Sequence, residues 1–144
     1  MIDTFKNILL GLKNIIESQN LAEGHLKIKD IASNELEVAI KGNEWREINH
    51  FSSPLAEPFI DVMTKEDAIS ICADILKVPF AWVPPKTSDD PLYTAHSHSK
   101  VHVELLGPKG VIKSKFVRLG LFSILPDSEY RFRTHPAEEV FNAC

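Results

Sequence analysis

Cysteine and long apolar runs are scarce in this 144-residue chain, and each shortage excludes a class of protein. The two cysteines, Cys72 and Cys144, are too few for a disulfide framework or a thiolate zinc site. No apolar run approaches the roughly 20 residues of a membrane-spanning helix, and Asp3 and Lys6 interrupt the N-terminal apolar pattern where a signal peptide would be apolar. We therefore expect a cytoplasmic protein with no membrane partner.

An excess of basic residues is also missing. Sixteen Lys and Arg stand against 20 Asp and Glu, which gives a formal net charge of −4. A net field of this sign does not attract phosphate backbones or anionic lipid, so we expect no nucleic-acid partner. With 44% hydrophobic and 25% charged residues, the composition is typical of a soluble globular domain.

Three segments of the first half carry apolar patterns. The segment from Ile2 to Gln19 repeats apolar residues at three- and four-residue steps and predicts an amphipathic packing helix. The segment from Leu26 to Ile40 alternates less cleanly and fits a short strand or a helix. Thr64 and Asp67 resemble a capping box that opens a further helix, with an apolar stripe from Ala68 to Leu76, and this helix ends before Pro79.

In the second half of the sequence, apolar and polar residues alternate with the two-residue period of a strand. A polar loop at residues 87–91 separates a helical region, residues 1–90, from a β-rich region, residues 91–144. If the stretch from Tyr93 is one continuous strand, Val101, Val103 and Leu105 face one way while His96, His98, Lys100, His102 and Glu104 face the other. A turn at 106–110, a second strand at 116–125 and a turn at 126–128 follow.

A third strand is predicted to begin near Tyr130, shortly before the chain ends at Cys144. A sheet that stopped there would expose an apolar edge unless another chain or a crossing N-terminal segment covered it. This pattern leads us to expect the front part of a longer protein, and it also allows a homo-oligomer.

Four polar residues near the start of the β-rich region form the first candidate site. His96, His98, His102 and Glu104 are good ligands for zinc, iron or manganese. Five residues lie between His98 and Glu104, whereas the usual cupin motif has three or four. A solvated polar face of a half-buried strand explains the same pattern, so both interpretations stay open.

Three segments of the second half resemble the cupin-type dimethylsulfoniopropionate (DMSP) lyase family. They are E-L-L-G-P-K-G from Glu104 to Gly110, V-R-L-G-L-F from Val117 to Phe122, and Y-x4-H-P-A-E-E from Tyr130 to Glu139. The similarity, which includes an upstream helix and tryptophan resembling Ala68 to Trp82, covers about half of the chain. It implies an α+β protein in which N-terminal helices precede the first strands of an incomplete cupin-like β-barrel.

The resemblance also implies an activity and a site. The family holds one divalent metal ion, here Zn, Fe or Mn, and cleaves the small zwitterionic sulfonium substrate DMSP to dimethyl sulfide and acrylate. On this pattern His135 and Glu139 match metal ligands, and their four-residue separation places them on one side of a regular strand. Tyr130 matches a tyrosine of the substrate pocket.

The reaction itself sets requirements that nearby residues meet. A proton next to a carboxylate is weakly acidic, so its removal needs a base and a positive centre that absorbs the developing charge. Tyr130 is the tyrosine of this segment, and Arg133 can grip a carboxylate through two hydrogen bonds. Trp82 can offer its ring face to a sulfonium cation, although a packing anchor between helix and sheet is the alternative for this residue.

The chain departs from the family at two positions that bear on the chemistry. Arg133 stands where the family usually has a histidine, and Phe141 stands where it often has a tyrosine. Phenylalanine neither ligates a metal nor accepts a proton. Three hypotheses follow: a carbon–sulfur lyase or the N-terminal portion of one, a diverged cupin domain that binds a small carboxylate, and another metal-dependent cupin enzyme that uses His96, His98, His102 and Glu104.

Overall fold

A computed structural model describes residues 1–42, 55–84 and 97–128 of the chain. In order, its helices and strands are α1 (Ile2–Ser18), α2 (Leu26–Lys41), α3 (Glu57–Met63), α4 (Ile71–Ile75), β1 (Lys100–Leu106) and β2 (Leu119–Ile124). Short 3-10 turns at Glu23–His25 and Ser97–Ser99 precede α2 and β1. The described residues are therefore of mixed α+β type, with the helices before the strands. None of the described helices is long and apolar enough to cross a membrane.

The N-terminal amphipathic helix is confirmed as α1. Its buried residues Phe5, Ile8, Leu9 and Ile16 follow the predicted apolar spacing. The undecided segment that follows is helical, since α2 buries Ala32, Leu36 and Ala39 at intervals of four and three residues. That interval places all three on the side of α2 that joins α1 in the core.

The prediction of a capping box at Thr64 is wrong. Thr64 directly follows the last residue of α3, and its Oγ1 donates to the carbonyl oxygens of Ile60 and Asp61 at 3.0 and 3.3 Å. A threonine hydroxyl readily bonds back to carbonyls three or four residues earlier, and here this contact closes a helix instead of opening one. The next helix, α4, starts later, at Ile71, and ends before Pro79 as expected.

The two strands form an antiparallel pair with the predicted turns around them. Lys100 lies opposite Ile124, His102 opposite Phe122 and Glu104 opposite Gly120, with a register irregularity between Glu104 and Leu106. The turn after β1 places Gly107 at φ +145°, and an added Cβ there would collide with the Glu104 carboxylate. The turn after β2 carries a 3.3 Å hydrogen bond from the Ser128 N–H to the Leu125 carbonyl.

The core lies between the helices and one face of this sheet. Phe80 is 1% exposed and meets Phe5 and Trp82 edge to face, with ring centroids 5.9 and 6.1 Å apart. Val103 and Leu105 of β1 join the same cluster. Since neighbouring strand residues point to opposite faces, the helices cover one side of β1, and the other side carries His102.

Candidate functional site

The sheet face that bears Lys100 and His102 is the candidate site within the described residues. Lys100 and His102 alternate with Val101 and Val103, so they lie on the face opposite the buried Val103. Phe122 lies directly across from His102 in β2. This placement confines any chemistry of β1 to the side that the helical layer does not cover.

His102 is held firmly at the centre of this face. Its backbone N–H donates to the Val83 carbonyl at 2.9 Å, and its own carbonyl accepts from the Val83 N–H at 3.1 Å. Its ring stacks on Phe122, with centroids 6.5 Å apart and planes 27° apart. The ring atom Nδ1 is buried and makes no hydrogen bond in the part of the chain that the structure describes. A fixed imidazole with a free nitrogen can accept a proton, donate one or bind a metal ion.

Lys100 lies two residues before His102 on the same strand face. Its side chain is 1% exposed, although the strand pattern placed it on the polar side of β1. An ammonium group at this depth requires negative or polar atoms around it, because isolated burial of a charge is costly. The site therefore combines a buried lysine side chain with a half-buried imidazole.

The described residues of the alternative metal site, His98, His102 and Glu104, do not all lie on one strand as the sequence pattern predicted. His98 is exposed and lies in the 3-10 turn before β1, which begins only at Lys100. Glu104 is on β1, but its Oε1 accepts a 2.8 Å hydrogen bond from the Lys109 N–H. No group of three or more His, Cys, Asp or Glu residues suited to a metal ion occurs within residues 1–42, 55–84 and 97–128. His96 lies outside these ranges.

Trp82 belongs to the core cluster. It is 7% exposed, packs edge to face on Phe80, and is followed by Val83, which pairs with β1. This is the packing-anchor arrangement between helix and sheet. Its role in substrate binding stays a prediction, with little of the ring surface open to solvent.

The residues that carry the family resemblance at the end of the chain lie outside the described residues. They are Tyr130, Arg133, His135 and Glu139, together with the divergent position Phe141. The same holds for the polar loop at 87–91 and for the start of the first predicted strand at Tyr93. Their roles as base, carboxylate clamp and metal ligands stay predictions.

Two features of the structure near β1 could not be predicted from the sequence. The burial of Lys100 has no local signal, because a lysine in an alternating strand ordinarily faces water. The bond between Ser114 and Glu35 joins residues 79 positions apart, which no periodicity detects. The available hint was a serine four residues after Gly110, the end of the turn, since serine hydroxyls bond backbone groups a few residues further along the chain.

No protein-family model matches the chain, and neither the curated proteins nor the solved structures contain a match. The function of this chain therefore has to be inferred from its own residues.

Proposed function

We propose that this chain is a metal-dependent carbon–sulfur lyase of the cupin type, or the N-terminal portion of one, and that it acts on DMSP. The observation that carries the proposal is the placement of two resembling segments. The segment from Glu104 to Gly110 forms the end of β1 and its turn, and the segment from Val117 to Phe122 leads into β2 beside it. The resemblance therefore falls on one continuous hairpin, and the third segment follows that hairpin directly in sequence.

The difference between the two faces of the sheet supports the same proposal. A cupin barrel uses the inner face of its strands for ligands, and small barrels hold one ligand at most. The helices here cover the face of Val103 and Leu105, so the face of Lys100 and His102 is the side that would turn inward. That face already bears an imidazole and an ammonium group.

The proposed reaction is a β-elimination in which different residues of the chain have different roles. A base removes the proton next to the carboxylate, the electron pair forms the carbon–carbon double bond, and the carbon–sulfur bond breaks to release dimethyl sulfide and acrylate. In this scheme Tyr130 takes the proton and Arg133 holds the carboxylate. A bound divalent ion would stabilise the enolate-like charge.

The chain offers some of the protein ligands that such an ion needs. His135 and Glu139 would hold it, and a catalytic metal generally has about three protein ligands. The buried Nδ1 of His102, without a hydrogen bond among the described residues, is chemically suited to be another. We therefore assign metal binding first to His135 and Glu139.

A diverged cupin domain that binds a small carboxylate without turnover is the second candidate. The replacement of the family tyrosine by Phe141 removes a group able to accept a proton, while Arg133 remains as a group that can bind a carboxylate. Binding of acrylate or propionate with no release of dimethyl sulfide would favour this candidate over the lyase.

Metal content tests the assignment of ligands. Elemental analysis of the purified chain should find a divalent metal that His135→Ala and Glu139→Gln remove or reduce. The matched control is the pair His96→Ala with His98→Ala, which should retain the metal. Equal metal content in the parent and in His135→Ala would exclude His135, and loss in the control pair alone would move the site to the beginning of the β-rich region.

A further inference from the structure

The connection between β1 and β2, residues 107–118, is called here the basic loop. It contains Lys109, Lys113, Lys115 and Arg118 and no Asp or Glu, although the whole chain has a net charge of −4. All four cationic residues are exposed. The segment thus carries four formal positive charges, and two carboxylates from outside it, those of Glu104 and Glu35, accept hydrogen bonds from Lys109 and Ser114.

Phe116 lies among these cations with its side chain in solvent. It is 76% exposed, more than the other exposed large apolar residues of the described chain. Transfer of a phenylalanine side chain out of water lowers the free energy, so the exposed ring of Phe116 is available to enter an apolar environment. Its neighbours in sequence, Lys115 and Val117, set a cation on one side and an apolar group on the other.

The basic loop presents Phe116 in a defined conformation. The Ser114 hydroxyl is buried, donates to Glu35 Oε2 on α2 at 2.6 Å, and accepts from the N–H groups of Phe116 and Val117 at 3.2 Å each. At the base of the loop, the Ile112 N–H donates to the Leu105 carbonyl at 2.9 Å. Since these bonds fix the backbone, a partner need not order the loop on binding.

Against the expectation of no membrane partner, which rested on the net charge of the whole chain, we propose that the basic loop is a docking surface for an anionic lipid membrane, in which Phe116 enters the interface and the four cations contact lipid phosphates. Phenylalanine side chains enter the boundary between lipid headgroups and acyl chains, and cations near an anionic leaflet add attraction. Sequence-independent nucleic-acid sites instead combine a basic groove with several stacked aromatic rings. The basic loop offers one ring, Phe116, so the lipid surface is the better fit.

Binding to vesicles tests this surface on the full chain. Cosedimentation is compared for vesicles of phosphatidylcholine alone and of phosphatidylcholine mixed with phosphatidylglycerol, over a series of salt concentrations. The loop variants are Lys109→Gln, Lys115→Gln, Arg118→Gln and Phe116→Ala. The matched controls are Lys65→Gln and Leu10→Ala, which change an exposed cation and an exposed apolar residue elsewhere. Circular dichroism verifies that each variant keeps the fold.

The expected result is binding to the anionic vesicles that weakens as salt rises. Each charge variant in the loop should weaken it about fivefold, which corresponds to about 1 kcal/mol per cation. Phe116→Ala should weaken it about tenfold, whereas the controls bind like the parent. In Phe116→Trp, the tryptophan emission should shift to shorter wavelength when anionic vesicles are added, relative to the parent.

Three results would overturn the proposal. One is the absence of salt-sensitive binding to the anionic vesicles. Another is an equal loss of binding in Lys65→Gln and Lys115→Gln, which would show that charge alone, and not the loop, determines adsorption. The third comes from a parallel measurement with a single-stranded oligonucleotide: if the loop variants weaken binding to the oligonucleotide but not to the anionic vesicles, the loop is a nucleic-acid surface.

Discussion

Ser114 Oγ donates a 2.6 Å hydrogen bond to Glu35 Oε2, and this contact ties the helical layer to the connection between β1 and β2. The same oxygen accepts two backbone N–H groups, from Phe116 and Val117. Ser114 is 6% exposed, so water cannot readily replace these bonds. One hydroxyl therefore satisfies a carboxylate and two amides at the junction of helix and sheet.

We expect Ser114→Ala to destabilise the protein by about 1–3 kcal/mol, because it leaves two part-buried backbone N–H groups without their acceptor and removes the hydroxyl that donates to Glu35. Urea unfolding followed by circular dichroism measures the change. Ser18→Ala is the matched control, since the exposed Ser18 hydroxyl donates only to the Ile15 carbonyl of its own helix. Its effect should stay within about 0.5 kcal/mol. Equal effects in both variants would contradict a special role for the Ser114 contact.

The aromatic core gives a second prediction. Phe80→Ala should cost about 3–5 kcal/mol of unfolding free energy, because the ring is 1% exposed and packs on both Phe5 and Trp82. Phe116→Ala removes the same side chain at a position that is 76% exposed and should change stability by about 0.5 kcal/mol or less. A large loss of stability in Phe116→Ala would show that Phe116 is packed in solution.

Gly120 is required by the close approach of β1 and β2. A Cβ at this position would lie 2.5 Å from the Val103 carbonyl oxygen, so Gly120→Ala should destabilise the hairpin by about 1–3 kcal/mol. Gly24→Ala is the control, because an added Cβ there meets no atom within 4 Å. Thermal unfolding of the two variants should differ clearly, and identical melting would contradict the strand register.

Acid should weaken the contact between α1 and α2. The Lys13 ammonium donates a hydrogen bond to Glu17 and, with the Ser33 hydroxyl, lowers the pKa of that carboxyl. Lys41 does the same for the pKa of Glu37. Groups whose folded pKa is lowered stabilise the protein above the unfolded value, about 4.3 for Glu, and lose this contribution as the pH falls through the folded pKa.

The pKa of the partner lysine is shifted in the opposite direction. Glu17 raises the pKa of Lys13, so this contribution is complete below the unfolded value, about 10.4, and is lost as the pH rises through the folded pKa. Glu17→Gln should therefore flatten the stability profile at both its acidic and its alkaline ends. The control Glu66→Gln, an exposed carboxyl outside this network, should leave the profile unchanged. A profile for Glu17→Gln that parallels the parent would contradict the predicted coupling.

The predictable parts of the fold are those with strong local periodicity. The α1 helix follows from its apolar spacing, and the turn at 106–110 follows from Gly107 and Pro108. The α2 helix stayed open because Leu36, Val38 and Ile40 also alternate as in a strand, and its packing on α1 decided the outcome. Thr64 was assigned to the wrong helix end because the same hydroxyl can bond forward to an amide or back to a carbonyl.

The candidate site was less accessible to sequence reasoning. The pattern correctly grouped Lys100 with His102 on one strand face, but it extended the strand back through His98, which lies in a 3-10 turn. Local alternation cannot reveal where a strand begins when polar residues precede it. It also cannot reveal that Lys100 is buried, since burial depends on residues distant in the chain.

Release of dimethyl sulfide from DMSP, measured by gas chromatography with a divalent metal supplied, tests the proposed activity most directly. The parent chain should release little, because Phe141 and Arg133 replace a tyrosine and a histidine of the family pattern. Restoring the tyrosine with Phe141→Tyr, while Arg133 stays in place to hold the carboxylate, should raise the rate by about 10²–10⁴, the usual contribution of a general base. Adding His135→Ala to the restored chain should abolish release. Robust release from the parent would contradict the need for a tyrosine at position 141, and release from the restored chain that survives His135→Ala would contradict the assigned metal site. No release from the restored chain would contradict the proposed lyase activity itself.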